Sequence, residues 1–254
     1  MRSLAKLKFY WKIRHKLDFR LKLLRVVGGL LYPRYRFHAA QLDWWQNPAF
    51  NDYLTRFGEI KGVDADRRWM VSQLLRLVEA VPGDTAECGV FKGSSSYLMC
   101  KANANTTHLT RWHYMFDSFE GLSEPTATDG DYWTPGDLTS GLEEARDNLA
   151  EFMHCTLYKG WIPEKFPAVQ DKRFAFVHID VDLYEPTRDS IAFFYPRLNP
   201  GGVILCDDYG SSLCPGATRA IDEFLSDKAE SMISLCAGGG FMIKGCQTAP
   251  EFIV

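Results

Sequence analysis

Residues 174–210 constrain the fold more than any other stretch, because they indicate a strand, a helix and a second strand in succession. Phe174 to Ile179 is a continuous apolar run, typical of a parallel strand buried on both faces. Glu185-Pro186 predicts a helix start, since proline is tolerated at the first helical position. We expect this helix to stop at Asn199-Pro200-Gly201-Gly202 and the second buried strand to run from Val203 to Cys206.

Two pairs of acids follow these strands. Asp180 and Asp182 come after the first strand, and Asp207 and Asp208 come after the second. Ligands bind at the carboxyl ends of strands in an open parallel sheet. Four carboxylates at one rim repel one another unless a cation is present or some are protonated. Helix capping explains a single Asp after a strand, but it explains two pairs less well. Strand alternation would place Asp180 and Asp182 on one face.

A second ligand-binding signal lies earlier in the chain. Pro82-Gly83-Asp84 predicts a turn between a helix and the first strand. That strand leads to Glu87-Cys88-Gly89-Val90-Phe91-Lys92-Gly93-Ser94-Ser95-Ser96. A glycine-bearing turn before a helix lets the backbone approach a ligand. The spacing differs from the dinucleotide pattern, so it indicates any nucleotide-like ligand. Asp117 ends the next strand, His113 to Phe116, where a ribose-hydroxyl acceptor is expected, although a turn cap is the alternative.

The other predicted elements complete an alternation of strands and helices. Asp64 or Asp66 is expected to cap a helix that runs to about Val81, and Ser140 with Glu143 forms a capping box for a helix to about Phe152. The remaining predictions are a functional loop at 119–139, a strand from Cys155 to Tyr158 that leads to Lys159-Gly160-Trp161, a helix after Cys214-Pro215-Gly216-Ala217, and two closing strands at 232–235 and 241–243 joined by Gly238-Gly239-Gly240. The fold class predicted is α/β with a doubly wound, mostly parallel sheet and an antiparallel C-terminal strand.

Charge divides the chain unevenly. Residues 1–36 contain eleven Lys/Arg and one acid, for +10, and the whole chain has a net charge of −3, so residues 37–254 carry −13. An acidic body argues against a nucleic-acid partner, including a nucleic-acid methyltransferase steered by the arm. We favour packing of the basic arm on the acidic body or a neighbouring subunit. Peripheral attachment to anionic lipid through 1–36 is the alternative.

Three segments are predicted: a basic arm at 1–40, an aromatic-rich helical lid at 41–63 and the main domain at 64–254. The arm has a helical pattern over 1–31 that Gly28-Gly29 and Pro33 are expected to end. The aromatic residues of the second segment would cover either a sugar-sized substrate or one edge of the sheet; they are Trp44, Trp45, Phe50, Tyr53 and Phe57.

The cysteines and the apolar runs indicate in which cellular compartment the protein works. The seven cysteines show no paired spacing, and several lie inside predicted strands, which indicates reduced, buried thiols in a cytoplasmic protein. No apolar run approaches the roughly 20 residues of a membrane-spanning helix. Scattered histidines argue against a zinc site. We also expect a homo-oligomer.

Several motifs occur together in one order: AECGVFKGSSS, FDSFEGL, HIDVDLYEPT, and GGVILCDDYG followed by CPGATRAIDEF. Over about 64–245 the chain resembles the macrocin O-methyltransferase (TylF-type) family. The resemblance implies a Rossmann-like class I methyltransferase that uses S-adenosylmethionine and magnesium to methylate a sugar hydroxyl of a glycosylated metabolite or saccharide. It does not reach residues 1–40.

The resemblance also implies roles for individual residues. It assigns cofactor binding to Glu87, Gly89, Val90, Gly93, Ser94, Ser95, Asp117, Ser118, Gly160, Trp161 and Asp180. It assigns metal binding to Asp180, Asp207 and Asp208, and the general base to Asp182. A carboxylate site suits Mg²⁺, with Mn²⁺ or Ca²⁺ as alternatives. A catechol-type small-molecule O-methyltransferase would use the same metal chemistry on a flatter pocket. A non-catalytic binding protein is disfavoured by the intact set of four aspartates.

Overall fold

The computed structural model describes residues 17–31, 42–62, 64–106 and 110–249. It contains two compact units, residues 1–55 and 56–254. In the first unit, helix α1 spans Leu17–Leu31 and a short 3-10 helix spans Asp43–Gln46. Helix α2 spans Pro48–Arg56, and its last residue is the first of the second unit. The first helix ends at Leu31, the bound predicted for the helical pattern, although it continues through Gly28-Gly29 instead of stopping at these glycines. Glycine in a helix costs only about 1 kcal/mol. The pattern predicted over 1–16 lies outside the described residues.

The second unit alternates helices with parallel strands, as predicted. Its helices are α3 (Ala65–Leu74), α4 (Ser94–Asn105), α5 (Leu142–Leu149), α6 (Tyr184–Phe194) and α7 (Pro215–Leu225). Its strands are β1 (Asp84–Cys88), β2 (His113–Asp117), β3 (Cys155–Lys159), β4 (Phe174–Ile179), β5 (Leu198–Cys206), β6 (Ile233–Ser234) and β7 (Gly240–Ile243). Short 3-10 helices span Leu75–Val78, Phe166–Val169 and Tyr195–Arg197.

The sheet has the order β3-β2-β1-β4-β5-β7-β6. Strands β1 to β5 pair in parallel, whereas β7 pairs with β5 and with β6 in the antiparallel sense. The chain runs outward from β1 to one edge and then returns to β4, beside β1. This reversal opens a crevice at the carboxyl ends of β1 and β4, the usual ligand position in such sheets.

The core explains why the two central strands are the most apolar in sequence. All six residues of β4 are buried, and so are Val203 to Cys206 of β5. Helices pack on both faces of this region, with Ile191 and Phe194 of α6 and Ile221 of α7 buried in the same cluster as Phe174 and Val177. Strand β5 begins at Leu198, five residues before the predicted start at Val203. A register shift against β4 accommodates these residues.

The predicted capping box is wrong. Gly141 occupies the N-cap of α5, and no side chain caps the helix. The Ser140 hydroxyl donates to the Phe91 carbonyl oxygen at 3.0 Å, so a tertiary contact replaces the local one. Helix α3 ends at Leu74 and continues as a 3-10 helix to Val78, short of the predicted end at Val81. Its N-cap, Asp64, makes no side-chain capping bond.

All seven cysteines are free thiols, as predicted, but not all are buried: Cys155 is half-buried, and Cys236 and Cys246 are exposed. No helix in the described part of the chain combines the length and the apolar character that crossing a bilayer requires.

Candidate active site

A cavity of about 720 Å³ opens beyond the carboxyl ends of β1, β2, β4 and β5. It brings together most of the residues that the sequence assigned to a site. The predicted residues that line it are Gly89, Val90, Ser94, Ser95, Asp117, Ser118, Trp161, Asp180, Asp182, Asp207 and Asp208. Three predicted residues lie outside the lining: Glu87, Gly93 and Gly160. Among the described aromatic residues of 41–63, Phe57 lines the cavity.

The turn after β1 has the backbone geometry that its glycines suggested. Gly89 has a φ of 86°, and a Cβ at this position would overlap the carbonyl oxygen of Asp180 on the neighbouring strand. Gly93 has a φ of 84° and forms the N-cap of α4. Both positions lie in the left-handed region that glycine adopts without strain. The turn therefore closes tightly against β4 and directs the N-terminus of α4, with Ser94 and Ser95, toward the cavity.

Asp117 fixes this turn from the adjacent strand. Its Oδ2 accepts hydrogen bonds from the N–H groups of Val90 at 2.7 Å and Phe91 at 2.9 Å. Its Oδ1 accepts a 2.6 Å hydrogen bond from the N–H of Phe119. Oδ2 thus accepts two hydrogen bonds, whereas Oδ1 accepts one and has a second lone pair that can accept a hydrogen bond from a ligand in the cavity. The predicted ribose contact stays a prediction, and the structure adds a second role in shaping the turn.

Glu87 is fully buried beneath the turn and bonds to protein groups. Its Oε1 lies 2.9 Å from His178 Nδ1, and its Oε2 accepts a hydrogen bond from the Ser96 hydroxyl. His113 Nε2 lies 3.9 Å from Oε2. Burial alone would raise the pKa of Glu87, but the interactions with His113 and His178 lower it to about 2. Glu87 is therefore an ionised anchor that holds the end of β1 against β4.

His178 connects this anchor to the acidic rim. Its Nε2 lies 3.6 Å from Oδ1 of Asp207, on the opposite side of the ring from Glu87. Burial would lower the pKa of His178, but its bonds to Asp207 and Glu87 raise it to about 10. A charged imidazolium therefore links the strand that carries the turn to the strand that carries Asp207. Sequence analysis missed this histidine, although its place two residues before Asp180 in a buried strand was a usable signal.

The four aspartates of the rim form two groups. Donor atoms of His178, Asp180 and Asp207 lie within 4.8 Å of one another, and those of Asp182, Asp208 and Cys214 do likewise. Asp180 and Asp182 both line the cavity, as predicted, but the alternation argument for them is wrong. Strand β4 ends at Ile179, and Asp182 has a φ of 60°, so the chain has left the strand and turned. Asp208 Oδ2 secures this turn by accepting a 2.8 Å hydrogen bond from the Asp182 N–H.

Burial and, after it, mutual repulsion raise the pKa of three of the four rim aspartates. Burial and the charges of Asp207 and Asp208 raise the pKa of Asp180 well above its usual range. Burial and Asp208 raise the pKa of Asp182 to about 8, and burial and Asp207 raise that of Asp208 to about 6. Burial would also raise the pKa of Asp207, but His178, Arg68 and Arg67 hold it well below the ordinary value. Crowded carboxylates of this kind are stabilised by added positive charge.

Two arginines of α3 supply part of that charge. Arg67 Nη1 lies 2.7 Å from Asp207 Oδ2. Arg68 lies 3.4 Å from Glu59 and 3.8 Å from Asp180. Arg67 also packs against Gly238, where a side chain would crowd its guanidinium. Sequence analysis missed both arginines, since Arg67 and Asp207 are 140 residues apart and no local spacing connects them.

The donor set suits a hard divalent cation. Asp180, Asp207 and Asp208 offer carboxylate oxygens to the same cavity. Donor atoms of Asp180 and Asp207 lie within 4.8 Å of each other, whereas Asp208, the third predicted ligand, lies in the other group with Asp182 and Cys214. Oxygen ligands of this kind match Mg²⁺, Mn²⁺ or Ca²⁺ better than thiophilic metals. The residues present therefore fit the predicted metal.

The long 119–139 connection forms one wall of the cavity through Tyr132 and Trp133, whose rings meet edge to face at 4.8 Å. The indole N–H of Trp133 donates to Cys214 Sγ at 3.4 Å. Buried Asp129 accepts hydrogen bonds from the N–H and hydroxyl of Thr126, both at 2.8 Å. The connection is thus an ordered loop with two aromatic side chains facing the site.

Comparison with known proteins agrees with this geometry. The macrocin-O-methyltransferase (TylF) family profile matches residues 69–234, which span β1 to β6 and every residue of the predicted site. The chain belongs to the macrocin O-methyltransferase family. This confirms the family resemblance seen in the motifs, and the seven-stranded sheet confirms the class I methyltransferase fold.

Two curated relatives and one solved structure illustrate the family. The chain is 34% identical over 157 residues to 8-demethyl-8-(2,3-dimethoxy-alpha-L-rhamnosyl)-tetracenomycin-C 4'-O-methyltransferase of Streptomyces olivaceus, covering 56% of this chain and 59% of that protein. It is 29% identical over 176 residues to demethyldecarbamoylnovobiocin O-methyltransferase of Streptomyces niveus, covering 63% and 65%. The O-methyltransferase NovP superposes with a TM-score of 0.59 at 27% identity, covering 71% and 80%. The matched region thus spans about three fifths of the curated relatives' length.

Proposed function

We propose that this family member transfers a methyl group from S-adenosylmethionine to a sugar hydroxyl, with the help of a divalent cation. One observation carries the proposal: the glycine turn after β1 and the four-aspartate rim after β4 and β5 open onto the same cavity. A methyl donor and a metal-held acceptor can therefore meet there. The tetracenomycin and novobiocin relatives, which are named as O-methyltransferases, support this reaction class.

The turn after β1 supplies the cofactor site. The N-terminus of α4, with Ser94 and Ser95, offers hydrogen-bond donors that suit the carboxylate end of the cofactor. Asp117 and Ser118, at the end of β2, would contact the ribose of the cofactor, and Trp161 would contact its adenine; all three residues line the cavity. Glu87 acts from behind this turn by holding β1 to His178, so its role is to position the site.

The rim supplies the acceptor chemistry. Asp180, Asp207 and Asp208 would hold the cation, which, when bound, lowers the pKa of an acceptor hydroxyl and orients its oxygen. His178 and Arg67 fix the direction of the Asp207 carboxylate from two sides. Asp182 takes the hydroxyl proton as general base. Its left-handed backbone and the bond from its N–H to Asp208 set the position of its carboxylate. The reaction then requires alignment of the oxygen with the methyl group.

The charges that line the cavity indicate an acceptor without phosphate groups. Nine acids and three bases line it among the described residues. Each base already faces an acid: Arg67 faces Asp207, Arg68 faces Asp180 and Glu59, and Lys92 lies 3.4 Å from Glu144. A nucleoside diphosphate would need unpaired basic groups. A neutral glycoside, held against Tyr132 and Trp133, fits the wall better.

Methyl-transfer assays test the proposal. Labelled S-adenosylmethionine and Mg²⁺ would be supplied with rhamnosylated aromatic polyketides, with dTDP-rhamnose and with 3,4-dihydroxybenzoate as a catechol. We expect transfer to a glycoside that stops on addition of EDTA and returns with excess Mg²⁺. Transfer to the catechol alone would favour the small-molecule alternative, and transfer to dTDP-rhamnose alone would contradict the argument from charge. Full activity in EDTA would remove the metal from the mechanism.

A further inference from the structure

Helix α1 (Leu17–Leu31) presents an apolar surface to solvent. Its exposed large aliphatic side chains, each between 45 and 78% exposed, are Leu23, Leu24, Val26, Val27, Leu30 and Leu31. At 100° per residue these six positions fall within about 160° of the helix circumference, so they form one continuous face. Single exposed apolar residues are common, but a continuous aliphatic face on one helix marks an interaction surface. The family match begins at residue 69, well beyond this helix.

The charge around this face selects its partner. The segment 1–36 carries +10, and α1 lies within it. Pairing of this face with α1 of a second copy would bring two segments of +10 together, which charge repulsion opposes. An acidic protein surface would match the charge but would leave six aliphatic side chains uncovered. Anionic lipid satisfies both, since apolar side chains enter the boundary between headgroups and acyl chains while Lys and Arg approach the headgroups.

We propose that α1 and the basic residues around it bind the surface of anionic membranes peripherally. The sequence analysis favoured packing of the arm on the acidic body or on a neighbouring subunit, with anionic lipid as the alternative. The continuous, exposed aliphatic face of α1 favours the lipid. The absence of a membrane-crossing helix among the described residues agrees with attachment in the plane of the interface. Attachment of this kind is reversible and depends on both the apolar face and the charge.

Co-sedimentation of the full chain with vesicles tests the proposal. We expect binding to phosphatidylcholine vesicles that contain 30% phosphatidylglycerol, weaker binding to pure phosphatidylcholine by about tenfold or more, and loss of most binding in 0.5 M NaCl. The double variant Leu23→Asp/Leu30→Asp should lower partitioning onto the anionic vesicles about tenfold or more. Lys6→Gln/Lys8→Gln/Lys12→Gln should lower it to a similar degree and flatten the salt dependence.

Met153→Asp is the matched control, since Met153 is an exposed apolar side chain in the other compact unit. It introduces the same kind of charge and should leave vesicle binding unchanged. Thermal melts of the Leu23→Asp/Leu30→Asp and Met153→Asp variants should match the wild type, because these three side chains are exposed. The proposal is overturned if the wild type does not sediment with anionic vesicles, or if Leu23→Asp/Leu30→Asp binds them as the wild type does. It is also overturned if light scattering shows a dimer that this variant dissociates, which would identify a second copy as the partner.

Discussion

The Asp129 carboxylate accepts a 2.6 Å hydrogen bond from the backbone N–H of Tyr184, 55 residues further along the chain. Tyr184 is the first residue of α6, and no side chain of its own N-cap residue, Leu183, caps that helix. Asp129 therefore caps α6 from the 119–139 loop. Gly216, at the start of α7, lies so close to the same carboxylate that a Cβ at this position would collide with it. The Asp129 side chain therefore lies between α6 and the start of α7.

Replacing Asp129 should free the loop that carries Tyr132 and Trp133. Asp129→Ala removes a charged acceptor of three hydrogen bonds and should lower the free energy of unfolding by about 2–3 kcal/mol. We also expect faster proteolytic cleavage within 119–139 and a raised acceptor KM with unchanged affinity for S-adenosylhomocysteine. Asp131→Ala, an exposed acid in the same loop, is the control and should behave as the wild type. Equal proteolysis of the two variants would contradict the anchoring role.

Gly89 should tolerate no side chain. Its positive φ and its contact with the Asp180 carbonyl oxygen leave no room for a Cβ, so Gly89→Ala must displace β4 from the turn. We expect a loss of about 2 kcal/mol or more in unfolding free energy and at least tenfold weaker binding of S-adenosylhomocysteine. Gly136→Ala is a matched control, because Gly136 also has a positive φ but nothing lies within 4 Å of a Cβ there. If both variants lose cofactor affinity equally, backbone strain and not the close approach is responsible.

The four aspartates of the rim should divide metal binding and proton transfer between them. Asp180→Asn, Asp207→Asn and Asp208→Asn should weaken Mn²⁺ binding, measured by electron paramagnetic resonance, and lose activity that excess Mg²⁺ partly restores. Asp182→Asn should retain cofactor and Mn²⁺ binding but lose turnover by roughly 10²- to 10⁴-fold, the usual contribution of a general base. An active Asp182→Asn enzyme would assign the proton transfer to another group.

Glu230 should make the stability of the fold depend on pH. Burial would raise the pKa of this carboxyl, but hydrogen bonds from the Gly245 N–H at 2.7 Å and the Tyr195 hydroxyl at 2.9 Å lower it. Because the folded pKa lies below the unfolded one, the stabilisation is complete above the unfolded pKa of about 4.3 and disappears as pH falls through the folded value.

Urea denaturation of Glu230→Gln measures this contribution. At pH 7 the variant should be about 1–3 kcal/mol less stable than the wild type. The difference should shrink when both proteins are compared near pH 3. A difference that is the same at both pH values would show that Glu230 stabilises the fold by shape and not by charge.

Local sequence patterns predicted the central strands well, because β4 and the second half of β5 are buried on both faces and must be apolar throughout. The same patterns placed Asp117, Asp180 and Asp207 at strand ends, where a parallel sheet gathers its ligands. The tertiary contacts that orient these residues could not be predicted from the sequence. Arg67 meets Asp207 only after the fold brings α3 to β5, and the Ser140 capping box failed because the Phe91 carbonyl competes for the hydroxyl. Local spacing cannot report such tertiary competition.

The binding of S-adenosylhomocysteine tests the central claim most directly. Calorimetric titration of the wild type should give a dissociation constant in the micromolar range, which corresponds to a binding free energy of about −8 kcal/mol. Asp117→Ala should weaken binding severalfold or more, because it removes the acceptor that holds the Val90 and Phe91 N–H groups. Asp137→Ala, a loop acid outside the cavity lining, should leave the constant unchanged. Absence of binding to the folded wild-type protein would contradict the account of the cavity as a methyl-donor site.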